Sequence, residues 1–392
     1  MRKILKIVLT CWLLMYSVIW VPGVALGQSE TPELLPDTKY LELYEKAVVL
    51  EIDEISKNKN NAFQGSLVEQ KVKVRVLSGQ YKGKTLTAQN TLSGTEGYDI
   101  ELKADDEVVL YITVEEKMDG EKSIQNIYVA DRVRSNALGW LGLLFVGLII
   151  VIGRVQGIKA LMGLGVTIIG VYKVLLPGLM AGKSPLPLTI LVLIGVTLLT
   201  MIFVAGFTQK ALAATLGTLG GLLTAGFLAY AFGDLAQLSG LATEEDRMLL
   251  YVEGLKFDMR GLLFSGILIG ALGAIMDVAM SVASAISEIK KANHSIRPMQ
   301  LVAAGMNVGR DIMGTMANTL ILAYTGGALP FMLLFMAYKM EPIRIVNWEL
   351  IATEIVRALV GSIGLIICVP ITALVAGWLA GRSAGLEKRE SI

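Results

Sequence analysis

Residues 273–289 read GAIMDVAMSVASAISEI, an apolar segment with one carboxylate, Asp277, near its start. So apolar a run is typical of a membrane-spanning helix, in which positions three, four and seven apart share one face. The face that contains Asp277 otherwise carries only small and polar residues: Gly266, Gly270, Gly273, Ser281, Ser284 and Glu288. Because small residues let a neighbouring helix approach closely, we expect this face to pack against protein, with Asp277 buried in a helix bundle.

The composition of the whole chain supports a membrane protein with several spans. Of its 392 residues, 54% are hydrophobic and only 18% are charged, which is more apolar than a soluble protein. The net charge is +1, so nothing indicates a nucleic-acid partner. With two distant cysteines and one histidine, the sequence predicts no disulfide, no metal site and no cofactor.

The N-terminus, residues 1–27, has a basic start, an apolar run and then Ala25-Leu26-Gly27. This pattern fits either a cleaved signal peptide or a first transmembrane helix, and cleavage after Gly27 is the slightly favoured alternative. Both alternatives place the residues that follow outside the cytoplasm.

Residues 28–134 hold most of the polar residues and predict an extracytoplasmic, small all-β domain. Its strand signals alternate with period two and are separated by glycine-containing turns; they cover residues 46–55, 68–79, 84–90, 106–116 and 123–133. Five strands in so short a segment predict a small barrel, and LKADDEVVLYITV resembles part of an OB-type barrel. The sequence shows no set of aromatic residues on which bases or sugar rings would stack, so docking of a protein partner is favoured over binding of an oligonucleotide or a sugar.

Residues 135–385 predict a transmembrane helical domain, followed by a cytoplasmic tail at 386–392. About seven mature transmembrane helices are expected, at 137–153, 157–176, 186–206, 211–233, 260–286, 305–325 and 350–380. A twelve-residue apolar run at 327–338 is too short for a full crossing and favours a re-entrant or interfacial helix.

The charges of the loops predict orientation in a bacterial cytoplasmic membrane. Lys159, Lys210 and Lys291 lie in loops that fall inside when the β-domain is outside, whereas the acidic loop 242–258 falls outside. The basic C-terminal tail is inside if 327–338 does not cross.

The span after Asp277 has a matching polar face. Its candidate residues for one intramembrane charge network with Asp277 and Ser281 are Asn307, Arg310, Asp311 and Asn318. Charges at bilayer depth are usually paired or line a cavity. Two interpretations stay open: Asp277 forms a permanent ion pair with Arg310 that fixes helix packing, or it takes up and releases protons.

A secondary intramembrane pair is predicted in the last span, where Glu354 and Arg357 lie three residues apart. A local pair within the helix is favoured because both residues are near one end of the span. No catalytic motif is present: the sequence lacks a G-x-S-x-G elbow, a zinc-binding H-E-x-x-H and a phosphate loop. We therefore expect no enzyme.

Two segments, GAIMDVAMSVASAISEI and GMNVGRDIMGTMANTLILAYTGGALP, together with VRVLSGQYKGK, resemble the YibE/F-like family of bacterial membrane proteins. The resemblance implies a protein with several spans, often with a paralogous subunit. A remote resemblance to the half-unit of SecD/SecF and of RND permeases implies that Asp277 occupies an acidic relay position. This chain departs from that pattern by an extra hairpin at 137–176 and a much smaller outer domain.

Two hypotheses about function follow. The first is a permease-like membrane protein of unknown substrate, with proton coupling as an open question, acting as a homodimer or as a heterodimer with a paralogue. The alternative is a non-transporting scaffold that docks partners through its β-domain. The expected partners are membrane lipid and a family subunit.

Overall fold

The computed structural model describes residues 39–57, 68–95, 97, 99–116, 122–252, 254 and 256–390. The predictions about residues 1–27 lie outside these residues. The described chain divides into two compact units, one that ends at Gly147 and one that begins at Leu148.

The first unit contains a closed five-stranded barrel. Its strands are β1 Lys39–Lys57, β2 Val68–Val76, β3 Thr85–Leu92, β4 Glu107–Glu116 and β5 Lys122–Arg132. They follow one another around the barrel in the order β1-β2-β3-β5-β4, with β1 also paired to β4. All neighbours are antiparallel except β3 and β5, which run parallel where Gln89 meets Tyr128. This order and this parallel pair are those of an OB-type barrel.

Buried apolar and exposed polar side chains alternate along the strands, so one face of each strand forms the core of the barrel. On β4, every second residue from Val108 to Val114 is buried, and β2 alternates in the same way through Val72, Val74 and Val76. Strand β1 is long enough to pair with both β2 and β4, and two bulges near Glu51 and Ile55 bend it. The predicted small all-β, OB-like domain is therefore confirmed, with all five strands close to their predicted positions.

The rest of the chain is helical. The longer helices are α1 Ser135–Ile169, α3 Pro185–Ala205, α4 Gln209–Leu235, α6 Met259–Ala292, α7 Pro298–Gly327 and α10 Glu349–Glu390. The shorter ones are α2 Leu176–Met180, α5 Glu244–Met248, α8 Leu329–Ala337 and α9 Pro342–Val346, with a π-helical segment at Gly170–Leu175 and a 3-10 turn at Leu249–Tyr251.

Helices α4, α6, α7 and α10 pack together through small residues. A Cβ atom placed on Gly221 of α4 would lie 2.6 Å from the carbonyl oxygen of Gly364 on α10, so the two backbones touch there. Ile275, Val278 and Val282 of α6 fill the space beside them and are fully buried. The core of the helical unit is therefore made by the apolar side of α6 and by close glycine contacts.

The expected number of transmembrane helices is not confirmed. Among the described residues, five helices are long and apolar enough to cross a membrane, or six if the bent pair α7 and α8 counts as one span. The difference comes mainly from residues 137–176. They were predicted as two spans, but they lie in one long helical segment, Ser135–Met180. The segment is interrupted at Arg154, whose backbone is not helical (φ 48°, ψ −125°).

The apolar run at 327–338 forms the nine-residue helix α8, bent by 57° from α7. Nine helical residues extend only about 14 Å, so α8 does not cross the hydrocarbon core by itself.

Candidate functional site

The polar face of α6 lies on the surface of the chain. Gly266, Gly270, Gly273, Asp277 and Ser281 are exposed, whereas the apolar residues between them are buried against α4, α7 and α10. The apolar side of α6 lies in the core because burial of aliphatic side chains stabilises the packed helices. Asp277 is thus exposed among the described residues, and the expectation that it is buried in a helix bundle stays a prediction.

The polar residues of α7 are exposed as well, namely Asn307, Arg310, Asp311, Gly314 and Asn318. Helix α7 contacts α6 through other positions: Gly305 packs against Ile286, and the Tyr324 hydroxyl lies beside Gly270. The two helices are neighbours, with their polar residues left outside the contact.

The contacts of the predicted network are not seen among the described residues. The Arg310 guanidinium donates to Asn307 Oδ1 of its own helix at 3.1 Å. Across residues 256–390, no hydrogen bond or ion pair joins Asp277 to Arg310 or to Asp311. A network of these residues that includes Asp277 stays a prediction.

These charges are far from both ends of their helices. At 1.5 Å per residue, Asp277 is about 27 Å from the start of α6 and about 22 Å from its end. Arg310 is about 18 Å from the start of α7. We name the surface formed by Asp277, Ser281, Asn307, Arg310 and Asp311 the polar face.

The secondary pair of the last span is formed as a local contact. Glu354 Oε1 and Arg357 Nη1 are 2.9 Å apart on α10, and both side chains are little more than a quarter exposed. The Arg357 guanidinium also lies over the ring of Tyr324, 5.9 Å from its centroid. The sequence predicted the ion pair; the aromatic partner, Tyr324, comes from another helix and was missed.

Two cavities adjoin this pair. A cavity of about 350 Å³ is lined by Glu354, Arg357 and Thr353, together with the start of α6 and the loop before α5. A second cavity, of about 320 Å³, is mostly apolar and lies between α7, α8 and α10. Glu354 lines both. Among the described residues, no group of histidine, cysteine, aspartate or glutamate side chains could hold a metal ion.

Comparison with protein families decides the identity of the chain. Residues 141–382 match the family model described as YibE/F-like protein, and residues 41–127 match that of the YibE/F family N-terminal domain. The chain belongs to the YibE/F-like family. With its apolar helices, this YibE/F-like chain is a membrane protein.

No match was found among curated proteins or among solved structures. The two matched segments contain the polar face, the Glu354–Arg357 pair and most of the barrel of the YibE/F-like chain. The remote resemblance to SecD/SecF has no support from these comparisons.

The barrel of the YibE/F-like chain carries an aromatic row that the sequence analysis missed. Tyr44, Tyr111 and Tyr128 are register partners on the adjacent strands β1, β4 and β5. The rings of Tyr44 and Tyr111 are 5.3 Å apart, and Tyr44 is 66% exposed. A hydrogen bond with Glu42 raises the pKa of Tyr111. The three residues are far apart in sequence, and only strand register could have brought them together.

Proposed function

We propose that this YibE/F-like protein is a permease-like membrane protein that acts as an oligomer, with its polar path between subunits. One observation carries the proposal: the polar face is central on α6 and α7, and the described residues, which begin at Lys39, leave it exposed. A charged side chain in lipid at this depth costs about 2.5–3.5 kcal/mol, so three cost on the order of 8–10 kcal/mol. A protein neighbour removes much of this cost.

A second copy of the chain is the neighbour that we propose. In an interface with two-fold symmetry, Arg310 of one copy can face Asp277 of the other, and the reverse pair forms at the same time. Gly266, Gly270 and Gly273 have no side chain to prevent close approach. A paralogous subunit of the family is the alternative neighbour.

A crosslinking experiment tests the interface. Cysteine replaces Gly273 in a chain in which Cys11 and Cys368 are alanine, and a copper-phenanthroline oxidant is added to membranes. We expect a disulfide-linked product with twice the mass of the chain. The control is Leu223→Cys, because Leu223 is 55% exposed on α4, which does not carry the polar face. A product of another mass indicates a paralogue, and equal crosslinking of both variants contradicts the interface.

Proton coupling is the second part of the proposal, with Asp277 as the group that takes up and releases the proton. Asp277→Asn removes the charge and retains similar size. If Asp277 only neutralises Arg310, the double variant Asp277→Asn with Arg310→Gln restores both folding and activity, because no unpaired charge remains. If Asp277 carries protons, the double variant folds but stays inactive, because amides cannot transfer the proton.

The measurement is uptake of protons by proteoliposomes that contain a pH-sensitive dye, under an imposed membrane potential. The wild-type protein is expected to acidify the lumen, and both Asp277 variants to be silent. Full proton uptake by a well-folded double variant eliminates Asp277 as the group that carries the proton. If the wild-type protein takes up no protons but the crosslinking experiment gives a dimer, the proposed oligomer stands and the proposed proton transport does not.

We further propose an orientation, with residues 28–134 and the 242–258 loop outside and the 287–300 loop and the C-terminus inside. The placement of lysine and arginine supports it. The break at Arg154 supports separate crossings on its two sides, because a Cβ on Gly157 would overlap the carbonyl group of Ile149, eight residues earlier. A membrane-impermeant thiol reagent on intact cells should label a cysteine at residue 82 but not one at residue 291.

A scaffold is the second candidate function, and the tyrosine row of the barrel is the observation that favours it. Aromatic residues that are exposed side by side are enriched in protein interfaces. Replacement of Tyr44 and Tyr128 by serine is expected to abolish function in this case and to leave it intact in a permease. Complementation of a deletion strain distinguishes the two outcomes, with Tyr40→Ser as the control, since Tyr40 is 59% exposed on β1 outside the row.

A further inference from the structure

The cavity beside Glu354 and Arg357 contains polar atoms that the protein leaves without partners. The Thr353 side chain is 3% exposed, and its hydroxyl has no hydrogen-bond partner in the described chain. The Nε atom of Arg357 is also buried without an acceptor. Buried polar groups are nearly always hydrogen-bonded, and a molecule in the adjoining cavity is one source of the missing acceptors.

The charges that line this cavity restrict the molecule further. Two carboxylates, Asp246 and Glu354, and one cation, Arg357, line it. A simple anion would satisfy Arg357 and Thr353 but would face two carboxylates. A simple cation would face the carboxylates favourably but would leave Arg357 Nε, which can only donate, without an acceptor. A molecule with one positive and one negative group can pair with the carboxylates and also accept from Arg357 Nε and the Thr353 hydroxyl.

The second cavity supplies a site for an apolar chain. Its walls are mainly aliphatic and aromatic, with Met332, Phe335 and Ala358 among them, and Glu354 lines both cavities. Each cavity has a volume within the range of about 300–1,000 Å³ that is usual for small-molecule sites. The first cavity has charged residues at one end of an otherwise mainly apolar lining, and the second is almost wholly apolar, so the two together fit an amphipathic molecule.

We propose that the two cavities together bind a phospholipid with a zwitterionic head group. The ammonium group faces Glu354 and Asp246, the phosphate accepts from Arg357 Nε and Thr353, and an acyl chain enters the apolar cavity. This site is separate from the polar face and does not depend on the proposed transport.

The walls of the polar cavity are held in place before the lipid binds. Glu349 Oε1 accepts hydrogen bonds from the backbone N–H of Ser239 at 2.7 Å and of Gly240 at 3.1 Å, which ties the loop to the start of α10. The Arg357 guanidinium also packs on the ring of Tyr324. A preformed site loses less free energy on binding than a mobile one.

Isothermal titration of the full chain, delipidated in detergent, tests the proposal with three probes. These are dihexanoyl phosphatidylethanolamine, dihexanoyl phosphatidylglycerol and O-phosphoethanolamine, the free head group. We expect the first to bind tightest. Equal affinity for phosphatidylglycerol overturns the zwitterionic head group, and equal affinity for O-phosphoethanolamine shows a small-solute site in place of a lipid site.

Variants locate the binding. Thr353→Val has the same shape without the hydroxyl and should weaken phosphatidylethanolamine about 2- to 12-fold, the value of one hydrogen bond. The control is Thr372→Val, because Thr372 is fully buried on the same helix and donates to the Cys368 carbonyl at 2.7 Å, away from both cavities. Unchanged affinity of Thr353→Val overturns the assignment of the phosphate.

The apolar cavity has its own pair of variants. Ala358→Leu fills it and should weaken phosphatidylethanolamine while the weak binding of O-phosphoethanolamine stays the same. Ala376→Leu is the control, since Ala376 is similarly buried on α10 but lines a different cavity. If a well-folded Ala358→Leu binds phosphatidylethanolamine as the wild type does, the acyl chain does not occupy this cavity and the proposal fails.

Discussion

The contact between Gly221 and Gly364 gives the sharpest test of the helix packing. An alanine Cβ at position 221 would lie 2.6 Å from the Gly364 carbonyl oxygen and 2.8 Å from Cys368 Cβ. Ordinary van der Waals contacts of a Cβ atom begin at 3.4 Å, so the shortfall to the oxygen is 3.4 − 2.6 = 0.8 Å. The nearest obstructing atom belongs to the backbone, so rotation of a side chain cannot relieve the overlap and α4 must move away from α10.

Overpacking of this kind costs about 1–3 kcal/mol. A glycine-to-alanine change in a helix also gains about 1 kcal/mol of helix propensity, which would hide part of the effect. Gly195→Ala is therefore the matched control, because Gly195 is inside α3 and has no atom within 4 Å of its added Cβ. The propensity gain cancels between the two variants, and the difference reports the overlap.

The assay is the loss of monodisperse protein on size-exclusion chromatography after heating in detergent. A unit of this size shifts its midpoint by roughly 2–4 °C per kcal/mol, so Gly221→Ala should melt about 2–12 °C below Gly195→Ala. Equal midpoints, or a more stable Gly221→Ala, would refute the close contact of α4 with α10.

Three further predictions concern the barrel and the core. Leu110→Ala, at a fully buried position of β4, should destabilise the barrel by about 2–5 kcal/mol, measured by urea unfolding followed by tyrosine fluorescence. Asp99 accepts from the backbone N–H and the hydroxyl of Ser93 and from Gly94 N–H, which lowers its pKa below 3.8. The stabilisation is thus present above pH 3.8 and lost as pH falls through the lowered pKa. The protection of the Gly94 amide, its exchange rate relative to that of an unstructured peptide at the same pH, should fall there, and Asp99→Asn should remove the dependence. Cys368 is fully buried, so in a Cys11→Ala chain N-ethylmaleimide should add its mass only after denaturation, as followed by intact mass.

The barrel was predictable because its determinants are local. Alternation with period two locates β2 and β4 without knowledge of their partners, since each strand buries one face. The same locality explains why helices α3, α4, α6 and α10 could be found from runs of apolar residues. Strand register is not local, and for this reason the aromatic row that Tyr44, Tyr111 and Tyr128 form across three strands could be seen only in the tertiary structure.

The sequence by itself determined which residues are chemically unusual. It marked Asp277, Arg310 and the Glu354–Arg357 pair, because charge in an apolar segment is costly wherever the segment packs. Only the tertiary structure decided which side of α6 faces the core: a face of small residues serves equally well against a helix of the same chain or of another. Among the described residues the aliphatic side of α6 is buried and Asp277 is exposed.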